Sequence, residues 1–236
     1  MRAAVNKDIW QQIFGDHWQP PPEVVLVAAA AALVVVLVNG LWRPARNVIT
    51  IVHEAGHAVV AVLAGRRLAG IRLHSDTSGV TLSRGKADGP GMVCTALAGY
   101  VAPSVLGLVF AALLAADRVT AVLVVCGILL FAVLVVVRNA YGVFSVVLTG
   151  VVLFAVSWLA PDRIQAGFAY LIAWFLLVGG VRPVVELQAK RSRGQAPESD
   201  ADQLARLTGA PGFFWVGAFT MINIGALLLA VGWLLL

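Results

Sequence analysis

Two histidines and a glutamate stand within five residues of this 236-residue sequence, as His53-Glu54-Ala-Gly-His57. On an α-helix, residues four apart lie on one face, one turn apart, so both imidazoles can bind the same metal ion. Glu54 follows the first histidine, where a carboxylate can take a proton from water that zinc activates near neutral pH. The motif therefore predicts a zinc site with His53 and His57 as ligands and Glu54 as the catalytic acid–base.

The residues on both sides of the motif, 49–52 and 58–62, are mainly apolar, so the motif falls inside a hydrophobic segment. A charged residue at the centre of a spanning helix costs about 2.5–3.5 kcal/mol to insert, and ionisable groups retained there usually serve a function. Metal binding is the first interpretation. A proton or ion pathway built from the same side chains is the alternative.

The composition indicates that the chain lies in a lipid bilayer. Hydrophobic residues make up 60% of the sequence and charged residues only 12%, against about 25% charged residues in a typical soluble domain. The mean hydropathy is +0.90, and a soluble protein this apolar could not cover its own surface. The net charge of +5 comes from basic residues scattered between apolar runs, which argues against a nucleic-acid partner.

Apolar runs divide the chain into seven candidate spanning helices. They lie near 24–42, 46–64, 91–115, 119–137, 140–159, 164–182 and 213–235. The sequence therefore predicts an all-α polytopic membrane protein, a single domain over 1–236 with about six to seven transmembrane helices.

Two polar segments interrupt this helical pattern. Within the loop 65–90, residues 69–84 alternate apolar and polar types around a turn at 76–79, which predicts a short β-hairpin. The edge of such a hairpin could pair with an extended peptide, and an ordinary solvated loop is the alternative. In segment 183–212, a polar linker over 190–199 precedes a short helix with Ser199 or Asp200 as its N-cap.

The basic residues are distributed unevenly between the two sides. If seven helices cross, the N-terminal segment 1–23 shares one side with the loops 65–90, 138–139 and 182–212, and this side holds 13 of the 17 Lys and Arg residues. Cytoplasmic loops of membrane proteins are enriched in such residues. We therefore expect a multi-pass protein of the cell membrane with its N-terminus, hairpin and linker in the cytoplasm and its C-terminus outside.

The segment from Val52 to Ala58, Val-His-Glu-Ala-Gly-His-Ala, resembles the site-2 protease family of intramembrane zinc metallopeptidases. Chain length, the hairpin after the motif and the Ser199-Asp200-Ala201 stretch before the last helix resemble its smaller, B-like bacterial branch. The resemblance implies that His53 and His57 are zinc ligands, that Glu54 is the acid–base, and that the protein hydrolyses peptide bonds of membrane-protein substrates.

The third ligand departs from the family's pattern. That ligand is usually the aspartate of a Leu-Asp-Gly motif, and the nearest equivalent here, Leu148-Thr149-Gly150, has a threonine, which is a poor zinc ligand. We expect Asp200 to complete the site because it belongs to the stretch that resembles the B-like branch. The other candidates are Asp202, Asp76 and His74, or a site without a third protein ligand. Asn223 is expected to make an interhelical hydrogen bond, and a place in the lining of the site is the alternative.

Three functions are compatible with these residues. The first is a zinc-dependent intramembrane endopeptidase. The second is a non-catalytic membrane scaffold or regulator derived from the same family, which Thr149 in place of aspartate favours. The third is a transporter with a histidine–glutamate relay, which is disfavoured because a single helix holds these ionisable residues and no repeated half-helix is evident.

Overall fold

The computed structural model describes residues 20–196 and 198–236, and within them it contains eight helices and one two-stranded sheet. The helices are α1 (Pro22–Leu37), α2 (Asn39–Leu63), α3 (Pro90–Ala115), α4 (Val119–Val136), α5 (Ala140–Leu159), α6 (Asp162–Arg191), α7 (Asp200–Thr208) and α8 (Gly212–Leu235), and the strands are β1 (Arg67–Leu73) and β2 (Gly79–Arg84). The predicted all-α polytopic fold with one short hairpin is confirmed.

Five of the described helices, α3, α4, α5, α6 and α8, are each long and apolar enough to cross a membrane, and α1 and α2 together can make a sixth span. Large apolar side chains on their outward faces are exposed, for example Phe131 at 68%, Phe144 at 63% and Leu228 at 66%. Apolar faces of this kind are stable against lipid rather than water. The chain is therefore a multi-pass membrane protein.

The first two helices differ from the sequence-based expectation. The sequence placed a break near residues 42–45, whereas the chain bends by 101° at Val38. The guanidinium of Arg182 in α6 donates hydrogen bonds to the carbonyl of Val36 and to the side chain of Asn39. The carbonyls of the last turn of a helix have no partner within the helix, and the Arg182 side chain supplies one for Val36 at the end of α1. After this point α2 begins in a new direction.

The start of α1 lies at the end of the bundle opposite the hairpin. α1 runs alongside α6 in the same direction, because Val24 packs near Gly167 and the carbonyl of Val36 meets Arg182. Pro20 borders a cavity shared with Asp117 and with the last residues of α8. The N-terminal segment 1–23 was predicted to lie on the same side as the hairpin, and for residues 20–23 this prediction is wrong. Residues 1–19 lie outside the described residues.

The hairpin packs against the junction of α4 and α5. β1 and β2 pair in antiparallel register, with an irregularity between Leu68 and Gly70. The side-chain amide of Asn139 accepts from the N–H of Leu73 and donates to its carbonyl, at 3.1 and 2.7 Å. The backbone N–H of Arg138 also donates to β1. These bonds fix the hairpin at one end of the bundle.

α6 continues beyond its predicted end at 182. It passes through Pro183 to Arg191, so the first third of the polar segment 183–212 is helical, and the predicted linker 190–199 begins two residues too early. Proline usually disrupts a helix because it lacks an N–H and displaces the preceding turn. Pro183 removes the N–H that would bond to the carbonyl of Gly179. The next carbonyl in this turn, that of Gly180, accepts a hydrogen bond from Asn223 of α8, and neighbouring helices often supply such bonds in membrane proteins.

We expect the hairpin end to face the cytoplasm and both the start of α1 and the C-terminus to lie outside. Among the described residues, thirteen Lys and Arg residues belong to the hairpin end and two, Arg118 and Arg163, to the other, and basic residues favour the cytoplasmic side. Reporters inserted after Lys86 and after Arg193 should be cytoplasmic, while reporters before Pro20 and after Leu236 should be external. A cytoplasmic reporter before Pro20 together with an external one after Leu236 would show that α1 and α2 cross separately.

Candidate metal centre

Three side chains from two distant parts of the sequence converge at the motif. The Nε2 atoms of His53 and His57 are 3.1 Å apart. One carboxylate oxygen of Asp200, Oδ2, lies 3.3 Å from the first of these nitrogens and 3.2 Å from the second. These three residues form a group of potential metal ligands among the described residues. The structure thus brings together the three residues that the sequence analysis selected.

The spacing of the three donor atoms suits a small tetrahedral ion. A zinc ion bound at about 2.0–2.1 Å to each ligand separates neighbouring ligand atoms by about 3.3 Å in a tetrahedron. The observed sides of the triangle, between 3.1 and 3.3 Å, agree with that value. Two imidazoles and one carboxylate leave a fourth position for water or substrate, as in catalytic rather than structural zinc sites.

The tautomer of His57 is compatible with metal binding. Its Nδ1 atom lies 2.7 Å from the backbone carbonyl of Thr95 in α3. A carbonyl only accepts, so Nδ1 carries the hydrogen and Nε2 keeps a free lone pair in the neutral ring. Contacts of this kind orient the histidines that bind metals in proteins.

Gly99 makes the close approach of α2 and α3 possible. A Cβ atom at this position would lie 2.3 Å from Nε2 of His57 and 2.6 Å from Cε1 of His53. The next residue, Tyr100, places its ring perpendicular to the His53 ring, with the centroids 4.8 Å apart. α3 therefore forms one wall of the site.

The side chain of Glu54 is held in place by the hairpin. The hydroxyl of Thr81 in β2 lies 2.7 Å from Oε2 of Glu54 and 2.9 Å from its backbone carbonyl. A Cβ atom on Gly79 would lie 2.6 Å from Cγ of Glu54, so glycine allows the strand to contact this side chain. Glu54 itself is buried. The predicted acid–base is thus oriented by β2, next to the histidines.

α7 brings Asp200 to the histidines by docking its apolar face onto the bundle. Ala201 and Leu204 are fully buried in a cluster with residues of α3, α6 and α8. The helix is delimited at both ends, since the Ser199 side chain accepts from the N–H of Asp202 and Gly209 adopts a left-handed conformation with φ of 77°. Both are common helix-terminating arrangements. The predicted short helix is confirmed, with Ser199 as its N-cap.

The surroundings of Asp200 favour its ionised form. Burial raises the pKa of this carboxyl group, but the adjacent imidazoles of His57 and His53 outweigh burial and hold the pKa below its ordinary value. An ionised carboxylate is the form that binds a metal. Arg191 at the end of α6 forms an ion pair with Asp202 and donates to Ser199 at 3.3 Å, which ties α7 to α6 beside Asp200.

The other candidate ligands lie elsewhere. Asp202 pairs with Arg191, while Asp76 and His74 contact Ser78 in the hairpin turn. Thr149 donates its hydroxyl to a carbonyl within α5 and borders an apolar cavity of about 720 Å³. None of these joins the described ligand group. Asp200 is the candidate that the geometry favours, and its role as a ligand stays a prediction.

The residues that the sequence analysis missed, Thr81 and Thr95, share one property. Each contributes through a contact between distant segments, 27 residues from Glu54 for Thr81 and 38 residues from His57 for Thr95. Threonines in a strand and in an apolar helix carry no local signal of such a role. Only the packing of the hairpin and α3 around α2 reveals it.

A bundle of spanning helices with a buried HExxH motif and a converging carboxylate defines a membrane protein with a metallopeptidase-type site. The family model described as Peptidase M50B-like matches residues 26–230, and the chain belongs to this family of membrane metallopeptidases. The predicted resemblance to site-2 proteases is confirmed. Neither the curated proteins nor the solved structures contain a match to the chain.

Replacing Gly99 by alanine should disrupt the site. A Cβ atom there overlaps the ring of His57, so the histidines must move apart, and we expect zinc content measured by mass spectrometry of the purified protein to fall to a small fraction of the wild-type value. Gly225→Ala in α8 is the matched control, because nothing lies within 4 Å of its added methyl group. Full zinc content in Gly99→Ala would contradict this account of the site.

Proposed function

We propose that this protein is a zinc-dependent intramembrane endopeptidase that hydrolyses peptide bonds of membrane-bound substrates. The observation that carries the proposal is the triangle of His53, His57 and Asp200 donor atoms, 3.1–3.3 Å on a side. The two histidines lie in the helix that also bears Glu54. Family membership supports a peptidase in general. The donor set supports zinc, because nitrogen and carboxylate ligands in tetrahedral spacing are those that zinc prefers.

The residues of the chain would divide the chemistry between them. Zinc, when bound, polarises the scissile carbonyl and lowers the pKa of water. Glu54 would take a proton from the attacking water and return it to the leaving amine as the peptide bond breaks. Thr81 would keep the Glu54 carboxylate in place for both transfers, and Thr95 would keep the His57 ring in the tautomer that exposes Nε2.

The hairpin offers a way to hold an extended substrate beside these residues. β1 is flanked by β2 and, at Ile71, by the backbone of Val137. Within the described residues, β2 pairs on one edge alone, and this strand also carries Thr81. A substrate segment that adds to the outer edge of β2 by backbone hydrogen bonds would run next to Glu54. An extended conformation also exposes a peptide bond that a transmembrane helix would shield.

A non-catalytic scaffold or regulator is the second candidate. Thr149, where the family usually has its aspartate, favours this alternative, since a lost ligand commonly accompanies lost activity. The position of Asp200 counts against it, because a carboxylate from α7 lies where the third ligand is needed. A buried Glu54 bonded to Thr81 is likewise a feature that a scaffold does not require.

Glu54→Gln should abolish proteolysis and leave zinc bound. Glutamine has nearly the shape of glutamate and can accept from Thr81, but it cannot take a proton, so we expect the cleavage rate to fall by at least about 100-fold. The measurement compares new membrane-protein fragments, by quantitative mass spectrometry, in cells that produce wild-type or Glu54→Gln protein at equal levels.

Thr149→Val is the control for that experiment, because Thr149 lies outside the ligand group and bonds within its own helix. It should produce the wild-type set of fragments. If wild-type and Glu54→Gln proteins both bind zinc and the fragments do not differ between them, the endopeptidase proposal fails and the scaffold becomes the better description.

A further inference from the structure

Asn223 is a fully buried polar residue in the last spanning helix, and its amide joins three helices. Its Nδ2 atom lies 3.1 Å from the backbone carbonyl of Tyr100 in α3 and 3.2 Å from that of Gly180 in α6. Both partners are acceptors, so the amide NH₂ group, with its two hydrogens, must face them. The interhelical hydrogen bond expected for Asn223 is therefore present, and it is double.

The two carbonyls occupy the same position relative to a proline. Tyr100 precedes Pro103 by three residues, and Gly180 precedes Pro183 by three. A proline inside a helix removes the hydrogen bond to the carbonyl four residues before it, and its ring displaces that turn. The carbonyls of Tyr100 and Gly180 lie in these turns, next to the carbonyls that lose this bond. In a membrane, neighbouring helices supply partners to such turns, and here a single amide from α8 donates to both.

The turn before Pro103, in α3, lies against the histidines. Gly99 and Tyr100 form the wall of the site, and the Tyr100 ring is perpendicular to His53. That ring also stacks on Phe219 of α8, with centroids 5.0 Å apart. Phe219 and Asn223 are one helical turn apart on α8, so one face of this helix holds both the ring and the carbonyl of Tyr100.

The part of α6 that follows Pro183 contacts both α7 and the start of α2. Glu186 accepts from Trp42 and pairs with Arg46, both in α2. Arg191, at the end of α6, pairs with Asp202, two residues from Asp200. This part of α6 therefore contacts both helices that supply the predicted ligands.

From these contacts we propose that Asn223 is a positioning residue of the metal centre. By bonding to the turns that precede Pro103 and Pro183, it fixes the wall formed by α3 relative to the part of α6 that anchors α7, and so sets the distance between the two imidazoles and the Asp200 carboxylate. Asn223 touches none of the three ligands itself. The inference rests on the proposed function for the identity of the metal, zinc.

The test is the zinc affinity of purified full-length variants, measured by competition with a chelator. Asn223→Leu keeps the approximate size of the side chain and removes both donors, and we expect zinc to bind about 10-fold or more weakly, as for other residues that orient ligands. Thr220→Val is the matched control on α8, because the Thr220 hydroxyl bonds only to Val216 of its own helix. The control should bind zinc as wild type does.

A second pair of variants separates positioning from general stability. Pro103→Ala restores the N–H that bonds to the Gly99 carbonyl in an α-helix and removes the ring that displaces this turn. The Tyr100 carbonyl can then bond to the N–H of Ser104, and the double variant Pro103→Ala/Asn223→Leu should recover part of the lost affinity. Residues that act through one contact give non-additive effects. If Asn223→Leu does not fold, Asn223→Ser retains one donor and should show a smaller loss.

Two results overturn the inference. One is wild-type zinc affinity in Asn223→Leu, or in Asn223→Ser if that variant is used. The other is an additive double variant. If Asn223 had a purely structural role, Asn223→Leu would lower the thermal stability and leave the zinc affinity of the folded protein unchanged. If wild-type protein binds no stoichiometric zinc in the same titration, the proposed function fails instead, so the two failures are distinguishable.

Discussion

The charge of the partly buried Asp200 carboxylate must be compensated, and much of the architecture around the site follows from this constraint. An isolated charge in an apolar interior costs many kcal/mol, whereas Asp200 lies within 3.3 Å of two imidazoles. The compensation is mutual, because the histidines also lie among apolar helices. A divalent cation held by the three side chains would accept a lone pair from each of them at once. Hydrogen bonds between pairs of these side chains satisfy the lone pairs less completely.

Several local features serve to bring these side chains together. Gly99 lets α3 approach the histidines, and the apolar face of α7 holds Asp200 against the bundle. Arg182 ends α1 and allows α2 to turn by 101°, so that the motif lies near the hairpin end. Asn223 of α8 donates hydrogen bonds to the turns of α3 and α6 that precede Pro103 and Pro183. The site is thus assembled by contacts between helices and not by any one segment.

The sequence predicted what local chemistry determines. Hydrophobic runs identified the spanning helices, alternation identified the hairpin, and histidine spacing identified one face of α2. It did not locate the break at Val38, because the interaction that ends α1 comes from Arg182, 146 residues away from Val36. For the same reason, the predicted helix near 164–182 ended too early, since α6 continues through Pro183 to Arg191 and the turn before this proline is bonded to Asn223 of α8, 43 residues away. Thr81 and Thr95 were missed because their roles arise only from packing.

The measurement that tests the central claim most directly is the zinc content of purified protein with and without the Asp200 carboxylate. The account predicts about one zinc per chain in wild type and a loss of most of it in Asp200→Ala, because two imidazoles alone leave the ion under-coordinated. Asp162→Ala, which removes a carboxylate at the opposite end of the bundle, should keep the wild-type content. Full zinc content in Asp200→Ala, or no zinc in wild type, would contradict the account.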